Sequence, residues 1–157
     1  MATMRNIVRT ARVVARAVRT PADALLLIEI AVFIARLPAS VRRSNVATFF
    51  ARLQSAPRPK SRTLEQSYTR IARLRNACLA LPRLWRRDTC YIRAFTLVRF
   101  LDPGTHAVRV HFGVEQPQAV GDRLRGHAWV SVDGRAFDAP DAVYERRVRE
   151  VPIDVAL

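Results

Sequence analysis

The sequence predicts an α+β protein in which helices come first and a small antiparallel sheet comes last. Three observations carry this. Apolar residues recur every three or four positions through the first hundred residues. After Gly104 the period changes to two. Asp133-Gly134 then stands between two alternating runs as a two-residue hairpin turn. With 157 residues, half of them apolar, the chain can bury one ordinary core.

In MRNIVRTARVVARAVR, residues 4–19, the spacing of Ile7, Val8, Ala11, Val14, Ala15 and Val18 predicts a short basic amphipathic helix. Thr20-Pro21-Ala22-Asp23 is a helix start, because proline suits the first helical position. That second helix is expected to run to about Leu37 and stop at Pro38. A third should cover Asn45 to Leu53. SAPRPKSRT, residues 55–63, reads as a hinge, since it holds two prolines and no apolar side chain beyond alanine. Thr63, with Gln66 three residues on, can cap a helix to about Leu81. Its stripe of Leu64, Tyr68, Ile71, Leu74 and Ala77/Cys78 makes Cys78 a small core residue. After Pro82, Asp88 or Thr89 can cap a helix ended by Asp102-Pro103-Gly104, with Ile92, Phe95, Val98 or Arg99, and Leu101 on its inner face. Val108, Val110, Phe112 and Val114 then alternate with polar or small residues as a strand, and residues 115–126 read as a loop. Residues 140–157 read as a short helix over DAVYERRVRE followed by a tail. The division that results is a basic helical region, 1–62, and a mixed region, 63–157, forming one compact unit.

The chain carries 27 basic and 13 acidic residues, a net charge of +14. Residues 1–62 hold twelve of the basic residues and only two acids, Asp23 and Glu29. Such asymmetry suits an anionic partner or simply a solvated face. The run ALLLIEIAVFIARL, residues 24–37, is the most apolar stretch. Its fourteen residues, with Glu29 inside, fall short of the ~20 needed to cross a bilayer, so a buried core helix is expected, with peripheral membrane contact or a cleaved signal, hinted at only by LPAS at 37–40, as alternatives. Two cysteines make no disulfide framework, and no zinc-type Cys/His spacing is present. The expectation is a cytoplasmic protein with no metal or other cofactor. His106 and His111 read as turn and surface residues.

Cys90 falls in the first turn of its helix. Unsatisfied N–H groups and the helix macrodipole favour negative charge there, and a thiolate is the nucleophilic form of cysteine. Arg86, Arg87 and Arg93 push the same way. In the hairpin, pairing outward from Asp133-Gly134 matches Val132 with Arg135, Val130 with Phe137 and Trp129 with Asp138. His127 and Asp138 then share a face as diagonal neighbours, whose Cβ atoms are about 7 Å apart. Cys90, His127 and Asp138 therefore make a candidate Cys-His-Asp triad, with nucleophile, general base and orienting acid in that order. The Cys90 N–H would meet part of an oxyanion.

CYIRAFTLVRFL (90–101), FGV (112–114) and HAWVSVDGR (127–135) resemble the leader peptidases of lasso-peptide biosynthesis, the maturation-protein B family within the transglutaminase-like, papain-related cysteine peptidases. Tyr91 and Ala94-Phe95 depart from the family's usual residues without touching the nucleophile. Asp138 and Asp141 both stand near the place of the family's acid; the cross-strand geometry favours Asp138. The resemblance implies a helical amino-terminal half packed on a transglutaminase-like core with a nucleophile helix. It implies cleavage of a ribosomally made precursor between leader and core. Residues 1–54, before the hinge, lack the strand-rich pattern of a fused recognition domain. The implied partners are therefore the precursor leader, a separate leader-recognition protein and an ATP-dependent lasso cyclase, with the basic half as their surface. Nucleic acid is not expected. Acyl transfer by the same triad and a non-catalytic basic adaptor binding acidic peptide, nucleic acid or membrane are the alternatives.

Overall fold

The structure, a computed structural model, describes residues 2–43, 45–55, 57–60, 63–81, 84, 89–102, 106–115, 125–138 and 148–156. Five helices precede four strands: α1 (Ala2–Ala17), α2 (Pro21–Arg43), α3 (Val46–Ser55), α4 (Leu64–Leu79), α5 (Cys90–Phe100), β1 (Val108–Glu115), β2 (Arg125–Val132), β3 (Arg135–Phe137) and β4 (Val148–Ala156). The expected α+β order is the order found.

Three helix starts, those of α2, α3 and α4, have a capping side chain. Thr20 Oγ1 accepts from the Asp23 N–H at 3.1 Å, and Asn45 Oδ1 accepts from Thr48 N–H at 2.8 Å. Thr63 Oγ1 accepts from Gln66 N–H at 3.2 Å, a cap worth about 1 kcal/mol. Thr89 holds the N-cap position of α5 in extended backbone, leaving Cys90 as the first helical residue, although its hydroxyl makes no capping bond.

α5 is the centre of the fold. It touches α2, α3 and α4 as well as β1 and β2, and Ile92, Ala94, Phe95, Thr96, Leu97, Val98 and Phe100 are all buried. Phe95 packs edge-on against Phe49 and Phe50 of α3, with ring centroids 5.1 and 5.6 Å apart. Phe112 of β1 closes the cluster 6.2 Å from Phe95. Each such ring removed from water contributes roughly 1.5–3 kcal/mol. Arg99 reaches out of this core to donate to Pro57 O at 2.7 Å, which ties the expected hinge to α5.

α2 departs from expectation by running through Pro38 to Arg43. Proline removes one backbone donor and crowds the turn before it. Two things offset this: Leu37 is buried just before the proline, and Arg42 Nε donates to the Pro38 carbonyl at 3.2 Å. The resulting helix, 23 residues, is long and apolar enough by length and composition to cross a membrane. One of its faces, Leu26, Ile30, Ile34 and Leu37, is nevertheless buried in the protein core. At its start the Asp23 carboxylate is buried and accepts from Arg19 N–H, Arg70 Nε and Arg73 Nη2 at 2.7–3.0 Å. Burial pushes this carboxyl up, but the Arg19 N–H and the two guanidiniums outweigh it and hold it below its ordinary value.

The sheet is antiparallel throughout, in the order β3-β2-β1-β4. Asp133 and Gly134 have φ of 49° and 80°, the doubly positive pattern of a type I′ hairpin turn. Asp133 also ties the turn to the start of β1, accepting from the Ala107 N–H at 2.9 Å and bonding the His106 ring at 2.5 Å.

The predicted carboxy-terminal helix is corrected. Residues 148–156 form β4 against β1, and residues 141–147 lie outside the described residues. From Val151 onward the alternation V-P-I-D-V satisfies a strand period as well as any helical one, and β1 offers an edge that needs a partner. Pro152 falls where the register shifts between the Phe112–Val151 and Val110–Val155 pairs, a position that asks no donor of it.

Candidate active site

α5 sets Cys90 against the β2 backbone just before His127. The Cys90 thiol donates to Gly126 O at 3.6 Å, and that carbonyl lies one peptide bond before His127. Cys90 is partly exposed and unpaired with Cys78, which is buried 3.4 Å from Leu27 O and whose thiol burial pushes up to about 12. An inert core thiol and an accessible thiol at a helix start are thus separated by environment, as expected from their positions.

On β2, Ala128, Val130 and Val132 are buried, while His127, Trp129 and Ser131 alternate with them. β1 places Arg109, His111 and Gly113 opposite Ser131, Trp129 and His127. A row of rings results: His127 stacks on Trp129 at 5.9 Å, and Trp129 stacks on His111 at 5.2 Å. His111 Nε2 and Ser131 Oγ are hydrogen-bonded at 2.6 Å. Burial lowers the His127 imidazole below its ordinary 6.5, so the ring favours its uncharged, proton-accepting form. Beyond Trp129 a cavity of about 450 Å³ opens between Arg109, His111, Ser131 and the Asp133-Gly134 turn.

Asp138 is placed differently from the sequence expectation. The ladder ends at Val130–Phe137, so the expected Trp129–Asp138 pair is not formed. Asp138 takes a left-handed φ of 52°, and its carboxylate accepts from Arg75 Nη1 and, at 3.3 Å, from the Tyr68 hydroxyl. Arg75 is 1 % exposed and also donates to Arg93 O at 3.2 Å, joining α4, α5 and the hairpin. The other acid weighed, Asp141, lies outside the described residues, as do Arg86, Arg87 and Asp88.

Tyr68 and Arg75 were not singled out for the site from sequence, yet a signal existed. Arg75 falls on the apolar stripe of α4, four residues after Ile71 and seven after Tyr68. A charged residue at a core position needs a buried partner. His106, expected in a turn, is there, held by Asp133.

A family model of the transglutaminase-like superfamily matches residues 33–150, which covers α5, the hairpin and all three predicted site residues. Neither the curated proteins nor the solved structures gave a match.

Proposed function

Because the chain belongs to the transglutaminase-like superfamily, we propose that it is a cysteine peptidase that removes the leader from a ribosomally made lasso-peptide precursor. The observation that carries this reading is the Cys90 thiol at the first position of α5, 3.6 Å from the carbonyl that precedes His127. Superfamily membership fits a cysteine peptidase or an acyltransferase. The leader-peptidase reading rests on the 90–101 and 127–135 motifs.

In the proposed reaction His127 takes the Cys90 proton, and the thiolate attacks the scissile carbonyl. The Cys90 N–H, unsatisfied at the start of α5, meets part of the oxyanion. Collapse breaks the C–N bond, His127 protonates the departing amine, and a water deprotonated by His127 hydrolyses the thioester. Asp138 is the proposed acid. Arg75 and Tyr68 fix its carboxylate, and each oxygen keeps a second lone pair with which to orient an imidazole. The proposed setting is the cytoplasm, with a separate leader-recognition protein and an ATP-dependent cyclase. Arg12, Arg16 and Arg19, all exposed, are the proposed contact for leader or partner.

The test incubates wild type and Cys90→Ala with precursor and recognition protein and reads product masses. Wild type should give two fragments whose masses sum to precursor plus water, and Cys90→Ala should give none. Cleavage by the variant removes Cys90 from the mechanism; a product lacking the added water makes the enzyme an acyltransferase. Arg12→Glu/Arg16→Glu/Arg19→Glu should abolish capture of the partner complex in a pull-down, and unchanged capture would reject that surface.

A further inference from the structure

α2 has more apolar surface than the fold uses. Leu26, Ile30, Ile34 and Leu37 face the core. Leu25, Ile28 and Val32, spaced three and four residues apart, form a second stripe on the opposite side of the helix and are 65, 60 and 42 % exposed. Among the described residues, six of the seven exposed large hydrophobics lie on α1 and α2, which carry seven arginines against two acids, Asp23 and Glu29. A core helix of a soluble protein needs one apolar face. This one has two.

The charge around the second stripe is mostly positive. The same helical spacing continues it through Arg36, Ala39 and Arg43, all exposed. Arg12 and Arg16 on α1 are also exposed, and among the described residues none of these four arginines has an acidic partner. Asp23 is sequestered by Arg70 and Arg73, and Glu29 at the stripe's edge interacts coulombically with Arg99.

We propose that the Leu25–Ile28–Val32 face of α2 docks the protein on an anionic phospholipid surface, with α2 lying in the plane of the headgroups. Leucine, isoleucine and valine enter the acyl boundary, and Arg36 and Arg43 extend to lipid phosphates. α2 does not cross the bilayer, because its other face and Asp23 are built into the core. An anionic membrane suits a stripe whose apolar half is followed by arginines with no acidic partner among the described residues. A second copy of the chain would bring those like charges together.

The proposal needs neither Cys90 nor His127, so it is tested independently of the peptidase reading. The full chain is sedimented at physiological ionic strength with vesicles of phosphatidylcholine alone or mixed with phosphatidylglycerol. Wild type and Cys90→Ala should pellet with the mixed vesicles and stay soluble with neutral ones. Leu25→Gln/Ile28→Gln/Val32→Gln, with an unchanged unfolding midpoint, should bind at least tenfold more weakly. Arg36→Glu/Arg43→Glu removes no packed side chain and should do the same, which keeps the test valid if the glutamine variant fails to fold. Three results would overturn the proposal: no vesicle binding by wild type, binding by both variants equal to that of wild type, or a wild-type dimer that the glutamine substitutions dissociate.

Discussion

Replacing Asp138 with asparagine removes the charge opposite a guanidinium that is almost fully shut off from water. The Arg75 side chain is 1 % exposed and that of Asp138 17 %, so the pair is desolvated on one side and wet on the other. Breaking one half of a buried pair costs about 3 kcal/mol, and the partial exposure of Asp138 brings the expected loss to about 2 kcal/mol in urea unfolding. Tyr68→Phe, which keeps the ring 4.6 Å from Phe137 and loses only the bond to Asp138, should cost about 1 kcal/mol. If Asp138 is also the acid, Asp138→Asn should lower kcat at least a hundredfold under conditions where it is folded, while Asp141→Asn keeps its activity. The reverse pattern would move the role to Asp141. For His127 the direction of the pH effect is fixed by burial. The folded value lies below the unfolded one, so the folded state binds fewer protons in that window. Its stabilising effect is present above about pH 6.5 and declines as pH falls through the folded value. The acid limb of kcat/KM should accordingly lie below 6.5; a limb at or above that value would contradict the assigned base. At this scale the sequence was legible where chemistry is local. The helix-start position of Cys90 and the Asp133-Gly134 turn follow from neighbours in the chain. The Arg75–Asp138 pair spans 63 residues, and a stripe position alone cannot name its partner.

Elements were legible wherever a single local rule met no tertiary competitor. The Thr63 cap and the switch to strand period after Gly104 are such cases. Pro38 is the opposite case: the local rule ends the helix, but burial of Leu37 before the proline and the Arg42 bond to the Pro38 carbonyl after it continue the helix. Proline inside a helix costs ~3 kcal/mol relative to alanine, so Pro38→Ala should stabilise the protein, by about 1–3 kcal/mol once the local adjustment around Arg42 is lost. For a chain of this size that raises Tm by roughly 2–4 °C per kcal/mol, measurable by thermal melting. A fall in Tm would mean that Pro38 itself is needed for α2 to meet α4 and α5. β4 failed for a related reason. Its residues allow either period, and the choice is made by the open edge of β1, which exists only once the rest of the sheet has formed.

For the whole molecule, the question is whether the hinge at 55–63 separates units or merely joins helices. Its sequence reads as a boundary, yet the core crosses it. Phe33 of α2 meets Phe100 of α5 at 5.6 Å, Phe50 of α3 meets Phe112 of β1 at 6.5 Å, and Asp23 binds Arg70 and Arg73 of α4. The family match likewise begins at residue 33, inside α2 rather than after the hinge. Without residues 1–62, α5 would lose the cover given by Phe49 and Phe50, and Arg70 and Arg73 would lose Asp23. We therefore expect the intact chain to unfold in urea in one transition, with tryptophan fluorescence and far-ultraviolet circular dichroism coinciding. Residues 63–157 expressed alone should bind a hydrophobic dye and lack a cooperative melt. Two separated transitions in the intact chain, or a cooperative melt of the fragment, would make the basic helical region a domain in its own right. It would then act as an appendage to the proposed Cys90–His127 site rather than as part of the wall that holds α5 in place.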